Sequence, residues 1–208
     1  MKTKLVQKLI GERGFSFGDV FVHGHNIKSQ TRISQMTLGY SPNGLKGFRI
    51  FTPKQLFHIF LMLRGVHPSK FSVAITNLSD FLEIKQYMSK RFDQLQEIQR
   101  RKVFIALGML IFHGTIILDE PTLGMPPRTC MEIWNIIRFY RFCGKSILFT
   151  TSESRECEKI ADYIIIYEGG EMLAQGPPEE LIARYTVGFY LEIRILRDGT
   201  DIKEVEEK

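Results

Sequence analysis

Two adjacent carboxylates, Asp119 and Glu120, follow the apolar run Thr115-Ile116-Ile117-Leu118 and precede Pro121-Thr122. A short β-branched run bounded by His113-Gly114 and by a proline has the signature of a strand buried on both faces of a parallel sheet. Such sheets bind ligands beyond the carboxyl ends of their strands, which is where this pair stands. The first carboxylate suits Mg²⁺, usually held through water, and the second suits orienting or deprotonating a water that attacks a terminal phosphate. A solvated acidic pair at a strand-to-loop junction would have the same two residues, so the surrounding elements must decide.

Those elements alternate between helical and strand patterns. Leu5, Val6, Leu9 and Ile10 form a helical stripe closed by Gly11. Turns around Gly14 and Gly18 lead into a strand at Val20-Phe21-Val22 and a turn at His23-Gly24-His25, and Ser34 to Tyr40 leads to Ser41-Pro42-Asn43. Pro53 to Gly65 predicts a helix with proline in its first turn and Leu56, Phe57, Phe60, Leu61 and Leu63 on its apolar face. Phe71 to Met88 predicts a second amphipathic helix with Asp80, Glu83 and Lys85 on a solvated side, and Val103 to Phe112 predicts a core helix. Glu168-Gly169-Gly170-Glu171 reads as a hairpin turn.

With 208 residues and 44% hydrophobic content, the chain can bury a substantial core in one large or two coupled subdomains. Its net charge of +5 is spread along the sequence, which suits an ordinary basic surface with some attraction to anionic headgroups and lacks the basic stripe of a nucleic-acid binder. Cys130, Cys143 and Cys157 are odd in number and lack metal-ligand spacing, so they are expected as reduced, buried thiols. No stretch approaches the roughly 18 apolar residues of a membrane span. Lys2, Lys4 and Lys8 interrupt the N-terminal apolar positions too closely for a secretory leader.

Around Asp119-Glu120 the chain resembles the nucleotide-binding domain of ABC transporters, most of all the A subfamily, whose members mainly move lipids. Asp119 and Glu120 fall on the family's Walker B pair, and Gly124-Met125-Pro126-Pro127 with Trp134 resembles its D-loop and downstream tryptophan. Leu95-Gln96-Glu97-Ile98-Gln99, followed by Arg100-Arg101-Lys102, lies at the signature motif and its basic helix. Thr150-Thr151-Ser152 ends the H-loop strand, Glu156-Cys157-Glu158 matches the next helix, and Gly176-Pro177-Pro178-Glu179-Glu180-Leu181 resembles the C-terminal helix start. Lys2 and Thr3 match the end of a Walker A motif, with Met1 at its final glycine, and Asn43 stands at the Q-loop glutamine.

The resemblance implies an α/β P-loop NTPase (ABC ATPase) core with a mostly parallel sheet and a helical subdomain, the P-loop strand and N-terminal β-subdomain being largely missing. It divides the chain into a partial ATPase core at 1–45, a helical subdomain with the signature at 46–100, the Walker B, D-loop and H-loop core at 101–185, and the start of a C-terminal regulatory extension at 186–208. It implies ATP and Mg²⁺ as ligands. Lys2 and Thr3 would meet phosphate, Thr3 and Asp119 the metal, and Glu120 the attacking water, with Asn43, Ser152 and Leu95 to Gln99 completing the site. The strand of the phosphate loop is expected beside the Walker B strand, leaving an open edge next to Ile116 and Ile117 without it.

Four departures predict impaired hydrolysis. The phosphate loop is truncated, and a cradle of successive backbone N–H groups needs its glycines. Gln96, Glu97 and Ile98 replace the serine and glycines of the signature; a branched side chain blocks close approach, and a carboxylate about 4 Å from phosphate is repelled by about 1 kcal/mol even in water. Pro126 replaces an aspartate, and Ser152 is shorter than the histidine it replaces. Two readings remain open: an impaired ATP-binding domain of a lipid transporter, or a catalytically silent ABC-fold module or fragment docking to a transporter partner. Both place the chain at the cytoplasmic face of a membrane. The expected partners are an ABC transmembrane domain and a second nucleotide-binding domain, on the same longer chain or another, with no specific nucleic acid.

Overall fold

A computed structural model describes residues 2–14, 17–44, 47–110 and 114–185, so Met1, the end of the expected core helix and the 186–208 extension lie outside the described residues. In chain order the elements are α1 (Lys2–Leu9), β1 (Phe21–Val22), β2 (His25–Asn26), α2 (Thr31–Met36), β3 (Leu38–Ser41), α3 (Pro53–Leu63), α4 (Phe71–Phe81), α5 (Glu97–Met109), β4 (Thr115–Asp119), α6 (Pro127–Phe142), β5 (Ser146–Thr150), α7 (Ser154–Ile160), β6 (Ile164–Glu168), β7 (Glu171–Gly176) and α8 (Pro178–Tyr185).

Local chemistry fixes several boundaries. Thr52 starts α3 through a reciprocal cap: its Oγ1 accepts from the Gln55 N–H at 3.2 Å, and Gln55 Oε1 accepts from the Thr52 N–H at 2.9 Å. The segment 71–88 is not one helix. Glu83 adopts φ +54°, and the N–H groups of Glu83 and Ile84 close back onto the carbonyls of Asp80 and Ser79, which is a Schellman stop. Lys85 then lies beyond the helix and pairs with Asp80 at 3.1 Å.

Strands β3, β4 and β5 form a parallel sheet in that order, with Gly39 opposite Ile116 and Leu118 opposite Phe149. Strand β4 is therefore central and bonded on both sides. This corrects the expectation of an open edge at Ile116 and Ile117: among the described residues the outer side of β5 carries no further strand, and it is Leu148 that is exposed. Alternation along β4 splits its side chains between two cores. Ile116 and Leu118 join the large cluster with α3, α4, α5 and α6, whereas Ile117 joins Val6, Ile10, Ile27 and Leu38 and so seats α1 on the opposite face.

Helix α5 is buried continuously from Lys102 to Met109. Its approach to the sheet depends on Gly108, where an added Cβ would stand 3.1 Å from the backbone of Tyr40 and Ser41. The hairpin β6–β7 turns at Gly169-Gly170, as its sequence predicted. The expectation of three buried thiols fails at Cys143, which lies past the last turn of α6 and is exposed, while Cys130 and Cys157 are half-buried.

Candidate functional site

Asp119 ends the central strand and is only 2% exposed. Its Oδ1 accepts a 2.6 Å hydrogen bond from Thr150 Oγ1 on β5, and its Oδ2 has no partner. Glu120 then takes φ +50°, a left-handed conformation unusual for a residue with a side chain. Its N–H reaches the carbonyl and Oγ1 of Thr150, both at 3.0 Å, so the end of β5 holds the turn. Nearby, burial and then the Asp119 charge push the Tyr40 hydroxyl up to about 12, keeping that phenol neutral.

The Glu120 carboxylate is engaged at both oxygens. Oε2 accepts from the Ser152 N–H at 3.0 Å and from Ser152 Oγ at 3.1 Å, and Oε1 lies 3.6 Å from the Lys2 ammonium. Lys2 also donates to the Thr151 carbonyl. The structure thus gathers Lys2, Asp119, Glu120 and Ser152, from the start of α1 and the ends of β4 and β5. Thr3 is on the first turn of α1 and exposed.

The other sequence-derived residues have different neighbours. Asn43 Oδ1 accepts from Arg101 at 2.8 Å, and the same guanidinium donates to the Leu123 carbonyl, bracing the loop after β3 against the loop after β4. At the signature positions, Gln96 precedes α5 and its N–H donates to Gln99 Oε1 at 3.0 Å, so this helix start is closed by its own glutamine. Gln96 and Glu97 are exposed, Ile98 is half-buried, and Leu95 is buried with its carbonyl accepting from Arg100 at 2.8 Å. Glu97 in the first turn suits the helix dipole and repels an incoming anion.

Thr150 and Thr151, at the end of β5, supply contacts to Asp119, Glu120 and Lys2 for which the threonine pair at a strand's carboxyl end is the visible cue. Beneath the site, fully buried Glu156 accepts at Oε1 from Thr122 Oγ1 and from Trp134 Nε1, both at 2.9 Å, while Oε2 has no partner. This ties the loop after Glu120 to α6 and α7. Burial first, and the Glu156 charge second, push the Cys130 and Cys157 thiols up, with Lys2 opposing the shift at Cys157.

Among the described residues no group of three or more His, Cys, Asp or Glu side chains gathers as a metal cage. Mg²⁺ needs none, since it keeps several waters and takes one or two carboxylates with phosphate oxygens. The buried, unpartnered Oδ2 of Asp119 fits that donor set. A separate cleft of about 390 Å³ lies along α3, lined by Phe51, Lys54, Gln55, His58 and Ile59 and by none of the carboxylates above.

Comparison with solved structures shows which fold holds this arrangement. The chain superimposes on a structure of the ATP-binding subunit of an ABC transporter with a TM-score of 0.81 at 18% identity, covering 88% of this chain and 77% of that one. It also matches a dimeric post-hydrolysis structure of the ATP-binding cassette MJ0796 bound to ADP and Pi, with a TM-score of 0.76 at 14% identity, covering 85% and 80%. In sequence it is 26% identical to human ATP-binding cassette sub-family A member 2 over 98% of its own length and 8% of that protein's. The chain is similar to members of the ABC A subfamily. Human phospholipid-transporting ATPase ABCA3 (25% identity, 95% of this chain) and mouse cholesterol transporter ABCA5 (26%, 99%) match the ABC-related chain as well, each over 12% of its own length. The chain therefore spans about a tenth of the length of these curated relatives. No family model matches it. Among the described residues, no helix of this ABC-related chain is long and apolar enough to cross a membrane.

Proposed function

We propose that this chain is an ATP-binding domain of an ABC-type lipid transporter, lying at the cytoplasmic face of a membrane, with its hydrolytic step impaired. The observation that supports this best is the carboxyl end of β4, where the unpartnered Oδ2 of buried Asp119 and the Glu120 carboxylate stand beside the Lys2 ammonium. Asp119 and Thr3 would hold Mg²⁺, which supplies charge neutralisation at phosphate oxygens when bound. Lys2 would face phosphate and Glu120 would position water. Ser152 orients the Glu120 carboxylate through two hydrogen bonds. The partners in this reading are a transmembrane domain and a second nucleotide-binding domain, on the same longer chain or another.

The test is MgATP binding and turnover by the purified chain, alone and with Glu120→Gln. Weak binding with slow turnover that the substitution removes is expected. Turnover that survives Glu120→Gln refutes the role given to Glu120.

A second reading, a catalytically silent module that docks to a transporter partner, draws on the closed helix start at Gln96-Gln99 and on a Glu120 already bonded at both oxygens. The cleft on α3 would then be a docking surface. This reading expects co-purification of a membrane partner without ATP affinity, and a nucleotide-dependent homodimer argues against it.

A further inference from the structure

We propose that Lys2, Glu120 and Ser152 form an autoinhibitory latch, in which the lysine ammonium is engaged by the chain's own carboxylate and a polyphosphate must displace it to bind. This rests on reading the carboxyl end of β4 as a nucleotide site.

Three observations carry it. Glu120 is held from one side by the N–H and Oγ of Ser152 at 3.0 and 3.1 Å, so its carboxylate is fixed in place. Lys2 approaches from the other side at 3.6 Å and is anchored a second time by the Thr151 carbonyl. The Lys2 side chain is 40% exposed and that of Glu120 only 13%, so solvent and solutes reach the lysine while the carboxylate stays sheltered behind it. A phosphate that takes Lys2 must therefore break two contacts, and it leaves near itself a carboxylate stripped of its counter-charge. Both effects weaken anion binding. Divalent metal works in the opposite sense, because a cation near Asp119 would compete with Lys2 for the same negative corner.

The latch is testable without turnover. The full chain is treated with a water-soluble amine-acylating reagent, and the modification rate of each lysine is followed by fragment-ion mass spectrometry. Lys4, exposed on the same helix, serves as the internal reference. Lys2 is expected to react several-fold more slowly than Lys4, and Glu120→Gln is expected to raise its rate toward that of Lys4, the Thr151 carbonyl contact remaining, with the other lysines unchanged. Ser152→Ala, which keeps the backbone donor, gives an intermediate rate and covers the case in which Glu120→Gln fails to fold, judged by circular dichroism.

The same readout measures protection of Lys2 by metal-free pyrophosphate. The concentration giving half protection is expected to fall roughly fivefold in Glu120→Gln, the upper range for a partly exposed ion pair. A Lys2 that reacts as fast as Lys4 in the unaltered chain, or a rate untouched by both substitutions, overturns the latch. If pyrophosphate still protects Lys2 in that case, the nucleotide-site reading stands without it. Release of Lys2 by Glu120→Gln with no pyrophosphate protection in any form overturns both the nucleotide-site reading and the regulatory meaning of the ion pair.

Discussion

Replacing Glu156 separates the packing of the site from its chemistry. The side chain is fully buried, and its Oε1 accepts two 2.9 Å hydrogen bonds, from Thr122 in the loop that follows Glu120 and from Trp134 on α6. Its Oε2 has no hydrogen-bond partner. A buried carboxylate with an orphaned oxygen costs several kcal/mol unless something offsets it. Its place in the first turn of α7 lets the N-terminal end of that helix offset part of the charge.

Glu156→Gln keeps the chain length and the accepting Oε1 while removing the charge, so a stability change within about 1 kcal/mol is expected. Glu156→Ala removes both accepted bonds and strands two donors. At about 1.5 kcal/mol or more for each bond to a charged group, the loss is about 3 kcal/mol. For a chain of this size that corresponds to a drop in melting temperature of roughly 6–12 °C. Urea unfolding followed by tryptophan fluorescence reads both values, since Trp134 is the only tryptophan and is itself one of the two donors. Adding Thr122→Val to Glu156→Ala should cost less than the two single losses combined. An alanine variant within about 0.5 kcal/mol of the unaltered chain refutes the anchoring role. A glutamine variant as unstable as the alanine one shows instead that the charge itself is needed.

Two further outcomes follow from the sheet and from the burial around it. Gly108→Ala would gain helix propensity of about 1 kcal/mol in an open helix, but here the new Cβ meets the backbone of Tyr40 and Ser41 at 3.1 Å, so a net destabilisation of about 1–3 kcal/mol is expected in chemical unfolding. Tyr40 has its hydroxyl raised from 10.0 to about 12, so the folded state keeps a proton that the unfolded chain releases, and its stabilising share is complete below pH 10 and lost as pH rises toward 12. Tyr40→Phe should therefore flatten the fall in stability across that window, measured by unfolding at a series of alkaline pH values, and an unchanged slope refutes the assignment.

Much of the fold was legible because its cues are local. Proline and threonine before Gln55 mark the start of α3, the diglycine marks the turn of the β6–β7 hairpin, and the apolar run ending in Asp119-Glu120 marks the central strand. The failures concern relations between distant segments. The early stop of α4 depends on Glu83 entering a left-handed conformation, which neither helix propensity nor the apolar pattern of 71–88 announces. The neighbours of β4 depend on the strand order of the sheet, and strand order is set by how helices such as α5 and α1 cover its two faces. Side-chain partners were less legible again. Asn43, for example, accepts at Oδ1 from Arg101, fifty-eight residues away in the chain.

The contacts of Asp119 and Glu120 bear on how much the pair says about catalysis. Asp119 Oδ1 binds Thr150, the Glu120 N–H binds Thr150 again, and Glu120 Oε2 binds Ser152 twice. Together they fasten the carboxyl ends of β4 and β5, a structural task that does not depend on nucleotide turnover. Glu120 has no oxygen left without a partner, so its presence is explained by structure alone. Asp119 Oδ2 is not explained in that way: it is buried, acceptor-only when ionised, and unpaired. For a purely structural role at this position, an asparagine or a threonine would be at least as stable, without the cost of a desolvated charge. The case for a metal and phosphate at this site therefore rests on one oxygen of Asp119, and the case for catalysis requires Glu120 to be released from contacts the chain already makes.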